Sequence, residues 1–148
     1  MNRFHRGLAL GLFALGAAAL LPARAEPAAP APTLYQQLGG APAIAKVIDD
    51  FVGIVAADSR INFQFAKTDI PRLKQLLREQ FGQALGGPER YSGRDMKSSH
   101  AGLGITNAQF NALAENLYEA LNRNGVPYRV QNVILAKLAP LQPDVVER

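Results

Sequence analysis

Apolar residues recur at steps of three and four positions along most of this chain, and this spacing limits its fold more than any other feature. Four runs show it, and no comparable run alternates with a period of two. Because a helix turns every 3.6 residues, each run gives a helix one apolar face that can pack against a core. The sequence therefore predicts an all-α domain with four substantial helices and some shorter ones. The runs are Ile44, Val47, Ile48, Phe51 and Val55; Ile70, Leu73, Leu77, Phe81 and Ala84; Phe110, Leu113, Leu117 and Leu121; and Val130, Val133, Ile134, Leu138 and Leu141.

Turn and capping residues divide these runs into separate helices. Gly39-Gly40 predicts the end of a short first helix. Asp69, followed by Pro71, predicts the start of the next long helix, because proline is tolerated in a first turn, where its missing N–H is not needed. The remaining boundaries are indicated by Gly86-Gly87-Pro88, by the capping box Thr106-Asn107-Ala108-Gln109, and by Gly125 with Pro127.

The first 25 residues have the pattern of a cleaved secretory signal peptide. Arg3, His5 and Arg6 precede an uncharged apolar run from Gly7 to Leu21, and Ala23-Arg24-Ala25 forms a small-x-small cleavage site. The apolar run is shorter than the ~20 residues that a transmembrane helix needs. We therefore expect an exported protein, periplasmic or extracellular, with no stable membrane span after cleavage. An uncleaved membrane anchor is the alternative.

The mature chain has little net charge and no cysteine. The segment EPAAPAP, residues 26–32, predicts a tether, which leaves one domain over residues 33–148. Removing the three arginines of the signal peptide lowers the basic count from 16 to 13, against 12 acidic residues. Such a balance argues against nucleic-acid binding, which needs a clustered basic face. The lack of cysteine excludes disulfides, thiolate haem ligation and CxxCH haem attachment.

His100 is the only histidine after the predicted signal peptide. It follows the irregular stretch GGPERYSGRD, four residues after Met96 and three before Leu103, so that the spacing predicts all three on one helical face. A single histidine on an apolar face is usually a structural residue. The residues alone therefore do not decide between that role and a ligand role.

Several short motifs, in this order and spacing, resemble those of group 1 truncated haemoglobins. They are TLYQQLGG, DDF, RINFQFAKTD, LGGPERYSGRDM and H-x-x-L-G-I-T. Each fragment is weak alone, but their ordered combination covers about Thr33 to the C-terminus. The resemblance implies a truncated globin fold in which two antiparallel helix pairs form a two-over-two sandwich around haem b. The four long helices then correspond to the B, E, G and H helices of a globin.

The resemblance also implies roles for individual residues. His100 matches the proximal iron ligand, which binds through a neutral imidazole nitrogen. Phe65 matches the phenylalanine that packs on the haem face. Ordinary core packing is the alternative for each apolar position, and an exposed surface charge is the alternative for each basic one. The other implied haem contacts are Leu73, Leu77, Phe81, Tyr91, Met96, Phe110 and Leu138 in the apolar wall, and Lys74, Arg94 and Lys97 near the propionates.

The predicted distal pocket departs from the family pattern. Val52 stands where family members commonly have a tyrosine that hydrogen-bonds the gas, and Leu73, Leu76 and Leu77 occupy helix positions that are usually polar. Gln75 is nearby, but its helical position points it away from the iron. A distal donor stabilises bound dioxygen by about 1.5–3 kcal/mol. Its loss should weaken oxygen retention about tenfold to a hundredfold, and CO or NO binding less.

The absence of other strong ligands predicts a five-coordinate ferrous haem with an open distal site. Only a lysine, a tyrosine or water remains as a candidate sixth ligand, because Met96 is expected on the proximal side. We expect a protein that reversibly binds O2, NO and CO, for oxygen binding or transport, scavenging or sensing. A reductase is a candidate partner.

Two other function classes stay open at this point. The first is a haem enzyme that oxidises NO or turns over peroxide, which ranks below simple binding because the predicted distal wall offers no general acid or base. The second is a globin-like interaction module that has lost its haem. The apolar distal wall fits such a loss of ligand chemistry, whereas His100, Phe65 and Tyr91 argue against it.

Overall fold

All regular secondary structure is helical within residues 29–148, the part of the chain that this computed structural model describes. The predicted signal peptide and residues 26–28 of the predicted tether lie outside the described residues. From Ala31 to Arg148 the chain forms one compact unit. The helical spacing of the sequence therefore predicted the fold class correctly.

The described residues form seven α-helices and two 3-10 turns. None of these helices is both long enough and apolar enough to cross a membrane. The 3-10 turns are Asn62–Phe65 and Ala139–Leu141. The helices are α1 (Leu34–Leu38), α2 (Gly40–Ala57), α3 (Ile70–Ala84), α4 (Met96–His100), α5 (Asn107–Arg123), α6 (Tyr128–Leu138) and α7 (Gln142–Val145).

Gly39 and Gly40 join two helices directly. Gly39 ends α1 in the left-handed conformation, with a φ of 107°, and α2 begins at the next residue. A side chain is strained at this φ, which explains a glycine here. The prediction that this pair ends a short first helix is confirmed, but the pair also starts the second helix without a loop.

The predicted caps of α3 and α5 are present. The Asp69 carboxylate accepts a hydrogen bond from the Arg72 backbone N–H at 3.0 Å, and Pro71 lies in the first turn. Thr106 and Gln109 form the reciprocal capping box, with N–O distances of 3.2 and 3.0 Å. Each cap satisfies backbone donors that a helix start leaves without partners, and so it fixes where the helix begins.

The core is built around α2, which packs against both α3 and α5, while α5 also packs against α6. The whole apolar face that the sequence predicts for α2 is buried. Full burial of one such aliphatic or aromatic side chain contributes about 1.5–3 kcal/mol. The core side chains are Ile44, Val47, Ile48, Phe51, Val52, Val55, Ile61, Leu85, Ala112, Leu117, Ala120, Leu121, Val126, Val130 and Ile134.

The short helix α4 ends at His100, earlier than the spacing suggested. Ala101 has a ψ of 131°, and Gly102 has a φ of 78°, so neither continues the helix. Leu103 consequently lies outside the helix and is 45% exposed. The prediction that Met96, His100 and Leu103 share one helical face is therefore wrong for Leu103.

Candidate functional site

The ring of His100 is held in one orientation by its own helix. Its Nδ1 atom lies 2.7 Å from the backbone carbonyl oxygen of Met96, one turn earlier. Because a carbonyl only accepts, Nδ1 of the neutral imidazole carries the proton and Nε2 keeps its lone pair. In this tautomer of the side chain, Nε2 is the nitrogen that can bind a ligand.

His100 lines a cavity that is otherwise apolar. The cavity has a volume of about 120 Å3, which is room for several water-sized or diatomic molecules. Among its lining residues, His100 is the only one with a polar side chain. A gas or ligand in this cavity is therefore surrounded by hydrocarbon side chains and one imidazole ring. The lining residues are Phe51, Val52, Val55, Ala56, Phe65, Ile70, Leu73, Leu77, His100 and Leu113.

Helical spacing explains how the walls of this cavity form. Ile70, Leu73 and Leu77 are three and four residues apart, so α3 presents them on one face. Phe51 and Val55 are four residues apart on α2 and form a second wall in the same way. The 3-10 turn and α5 complete the lining with one side chain each. Together with His100 of α4, the lining therefore comes from four helices and the first 3-10 turn.

The structure brings five of the residues predicted from the family resemblance into this cavity. They are Val52, Phe65, Leu73, Leu77 and His100. Leu76 is half-buried on α3 but is not among the lining residues. Gln75 is exposed and donates a hydrogen bond to Glu79 at 2.9 Å, so it points away from the cavity as expected.

The remaining predicted wall residues lie outside the lining of this cavity. Phe81 and Leu138 are partly buried against the main core. Phe110 is buried on α5. Met96 is half-buried, and its sulfur accepts a hydrogen bond from the Gln80 amide at 3.5 Å. Direct contact of these side chains with a cofactor stays a prediction.

The segment between α3 and α4 is tied to α3 by hydrogen bonds. The backbone N–H of Tyr91 donates to Gln83 at 2.8 Å, and its hydroxyl donates to the Arg94 carbonyl at 2.8 Å. The Glu79 carboxylate accepts from the hydroxyl and backbone N–H of Ser92, which lower the pKa of Glu79. These bonds fix the approach of the chain to α4, and hence to His100.

Of the three predicted propionate partners, one already has a carboxylate partner. Lys74 lies 2.9 Å from Asp49 on α2, and Arg78 lies 2.8 Å from the same oxygen. The Lys74 hydrogen bond and the two positive charges hold the pKa of Asp49 below its usual value. Arg94 and Lys97 are exposed. A propionate role for these residues stays a prediction.

Sequence reasoning did not assign five of the lining residues to the site. Phe51, Val55, Ile70 and Leu113 were placed in the apolar runs as core residues, and Ala56 was not singled out. The available signal was their position on the same helical faces as the predicted site residues. An apolar run alone does not separate cavity lining from packed core.

A second, open groove of about 460 Å3 lies between α2 and α5. All three of its carboxylates have hydrogen-bond partners: Asp58 accepts from Arg60 and Asn116, which lower its pKa, Asp50 accepts from Asn124, and Asp49 accepts from Arg78. No group of three or more metal-binding side chains occurs in the described part of the chain. The cavity beside His100 is therefore the candidate site. The groove is lined by Asp49, Asp50, Gly53, Ile54, Ala57, Asp58, Arg60, Asn116 and Arg123.

Solved structures share this arrangement of helices. The Fe(III) form of a truncated hemoglobin from Tetrahymena pyriformis superposes with a TM-score of 0.74 at 31% identity, covering 79% of this chain and all of that one. A 2/2 hemoglobin from Synechococcus, in the cyanomet state and with covalently attached heme, gives a TM-score of 0.73 at 33% identity with the same coverage. The two-over-two globin fold expected from the resemblance is confirmed.

Sequence comparison identifies the family. The model of the bacterial-like globin family matches residues 33–147. A group 1 truncated hemoglobin from Mycolicibacterium paratuberculosis is 40% identical over 122 residues, which cover 82% of this chain and 87% of the relative. Another from Nostoc is 40% identical over 94 residues, covering 64% and 80%. The chain therefore belongs to the bacterial-like globins and, within them, to the group 1 truncated haemoglobins.

Proposed function

We propose that this protein holds haem b through His100 and reversibly binds diatomic gases beside an apolar distal wall. The observation that carries the proposal is the orientation of His100, whose Nδ1 is bonded to the Met96 carbonyl while the ring lines an otherwise apolar cavity. Family membership supports it, as does the Synechococcus neighbour with its attached heme.

The residues at this site fit haem in their chemistry. A neutral imidazole nitrogen is a common protein ligand of haem iron. The apolar side chains of α2, α3 and the first 3-10 turn suit a large hydrophobic ring. A porphyrin is larger than the cavity volume of about 120 Å3, so we expect the flanking side chains to move apart when it binds.

Each group at the site has a definite task. Haem supplies, when bound, the iron that takes up the gas. His100 provides the protein ligand to that iron, and the Met96 carbonyl fixes the tautomer and the plane of its ring. Val52, Leu73 and Leu77 exclude water and offer no hydrogen-bond donor. We therefore expect weaker discrimination in favour of oxygen than a distal tyrosine would give.

A haem titration tests the binding step. We expect the full chain to give a Soret band that saturates at one haem per chain. The same titration with His100→Ala should give a weaker, shifted band, which added imidazole restores. A Gln75→Ala variant is the matched control, because Gln75 is exposed on α3. If the wild-type chain gives no saturable Soret band, it is a globin-like module without haem, and the proposal fails.

Reversible binding is favoured over a dedicated enzyme by the composition of the cavity. Apart from His100, no side chain in the lining can donate or accept a proton, so general acid or base help is absent there. Mixing the oxygen-loaded protein with NO separates the two functions. We expect displacement of one gas by the other. Repeated formation of nitrate, with an added reductant restoring the ferrous iron after each turnover, would instead identify an NO-oxidising enzyme.

We further propose that the chain is exported and that its signal peptide is removed. The support is the basic start, the short apolar run and the Ala23-Arg24-Ala25 motif. Mass spectrometry of the protein from the periplasmic and extracellular fractions should give Glu26 as the first residue. A full-length chain in the membrane fraction would contradict this and favour the uncleaved anchor.

We also propose a reductase as a partner of the protein, because reversible binding of oxygen needs the iron in its ferrous state.

A further inference from the structure

The residues after α7 close over the loop that follows His100. The side chain of Glu147 accepts two hydrogen bonds from this loop, one at each carboxylate oxygen. Oε1 lies 2.7 Å from the backbone nitrogen of Gly102, and Oε2 lies 2.5 Å from that of Gly104. We call this pair of bonds the Glu147 latch. It joins parts of the chain that are more than 40 residues apart.

Backbone hydrogen bonds place the latch. The N–H groups of Glu147 and Arg148 both donate to the Ile105 carbonyl, at 2.9 and 3.3 Å. The Arg148 carbonyl in turn accepts from the Asn107 N–H at 3.3 Å, at the start of α5. In addition, α7 packs against α4, the helix that carries His100. The latch is therefore one part of a continuous contact with the proximal side.

The loop conformation suits a carboxylate. Gly102 and Gly104 have φ values of 78° and 62°, in the left-handed region that glycine adopts without strain. Their backbone N–H groups, two residues apart, match the two oxygens of one carboxylate. The two hydrogen bonds lower the pKa of Glu147, so its side chain is a carboxylate at neutral pH.

The position of His100 depends on the conformation of this loop. His100 is the last residue of α4, so within the helix only the preceding turn holds it in place. On the other side, its carbonyl accepts from the Leu103 N–H at 3.2 Å, within the loop. Movement of the loop would therefore move the end of α4 and the imidazole with it. Residues that orient metal ligands in this way tune metal affinity.

We propose that Glu147 is a positioning residue for His100, acting through the loop of residues 101–106. The proposal rests on the haem-binding function above, because a fixed imidazole matters only if it ligates the iron. Glu147 does not touch the ring. It holds the loop that follows α4, the helix that ends at His100.

The test compares Glu147→Gln and Glu147→Asp with Glu119→Gln in the haem-loaded protein. Glu119 is a matched control, because it is an exposed carboxylate on α5, paired with Arg123 at 2.8 Å and not with the loop. Haem release is measured by transfer to an excess of apomyoglobin, and the ferrous iron–histidine stretching band by resonance Raman. We expect Glu147→Gln to release haem about tenfold faster, with a shifted or broadened band.

The two other variants should differ from Glu147→Gln. Glu119→Gln should match the wild type, and Glu147→Asp should recover part of the loss, because it keeps the carboxylate with a shorter reach. Amide hydrogen exchange at Gly102 and Gly104 reports the latch itself. We expect faster exchange at both glycines in Glu147→Gln, a smaller increase in Glu147→Asp and no change in Glu119→Gln.

The outcomes separate this proposal from the proposed function. Unchanged exchange in Glu147→Gln would show that the latch does not form, and would overturn the proposal. Faster exchange with haem release and a Raman band like those of Glu119→Gln would overturn it as well, since the latch would then be local structure only. If the wild-type chain takes up no haem, the haem-binding function fails and the positioning role fails with it.

Discussion

Replacing Leu73 by glutamine should convert the distal wall from apolar to hydrogen-bonding. Leu73 lines the cavity that contains His100, on the same face of α3 as Leu77. Glutamine is close to leucine in volume but reaches one bond further from Cβ, and its terminal amide group can donate a hydrogen bond. The variant therefore adds the hydrogen-bond donor that the distal wall lacks, with little change in side-chain volume.

The size of the effect follows from the strength of that bond. A hydrogen bond to a charged or strongly polarised partner contributes about 1.5–3 kcal/mol, which corresponds to a factor of about ten to a hundred. Oxygen should dissociate from Leu73→Gln more slowly by that factor, while the CO dissociation rate should change far less. Placing an amide in an apolar cavity should also lower the free energy of unfolding by about 1–3 kcal/mol.

Stopped-flow measurement of oxygen and CO dissociation tests this prediction against two controls. Leu76→Gln puts the same amide on the same helix at a residue that does not line the cavity. Leu73→Met changes the shape without adding a donor. Equal oxygen dissociation rates in Leu73→Gln and Leu76→Gln would refute the assignment of the distal wall. Equal changes for oxygen and CO would refute the hydrogen-bond reasoning.

Three further predictions concern stability. Hydrogen bonds from Arg60 depress the pKa of Asp58 below its ordinary value of 3.8. The ionised Asp58 side chain therefore stabilises the folded protein fully above pH 3.8, and this stabilisation is lost as the pH falls below that value. Asp58→Asn should therefore lower the urea midpoint at pH 7, and the difference from wild type should shrink by pH 3; a constant difference would contradict this. Gly39→Ala should lower the Tm. The φ of 107° should cost an alanine backbone about 1–2 kcal/mol, and the new Cβ would also lie 3.0 Å from the Cβ of Ala43. Gly53→Ala, inside α2 with no neighbouring atom within 4 Å, should raise the Tm by the equivalent of about 1 kcal/mol; changes of the same sign in both variants would contradict the reasoning.

The helices were predictable from the sequence because their signals are local. The apolar spacing over α2, α3, α5 and α6 and the capping residues Asp69 and Thr106 act within one or two turns. The ordered family motifs, unlike the periodicity, predicted that Val52, Leu73 and His100 come together. The structure places these three in one cavity.

The features that the sequence did not reveal depend on backbone conformation or distant contacts. The end of α4 at His100 depends on the extended backbone of Ala101 and the positive φ of Gly102, which apolar spacing does not report. Leu76 lies one residue from Leu77, and helical spacing alone does not determine which of the two reaches the cavity. The Glu147 latch pairs residues far apart in the chain, and no local pattern encodes such a pairing.

We propose that His100 is the sole protein ligand of a haem iron whose other side is open. Resonance Raman and absorption spectra of the ferrous haem-loaded protein, without added ligand, test it most directly. We expect a five-coordinate high-spin haem with an iron–histidine stretching band that His100→Ala abolishes and imidazole restores. A six-coordinate low-spin spectrum in the wild type, or the same band in His100→Ala, would contradict it.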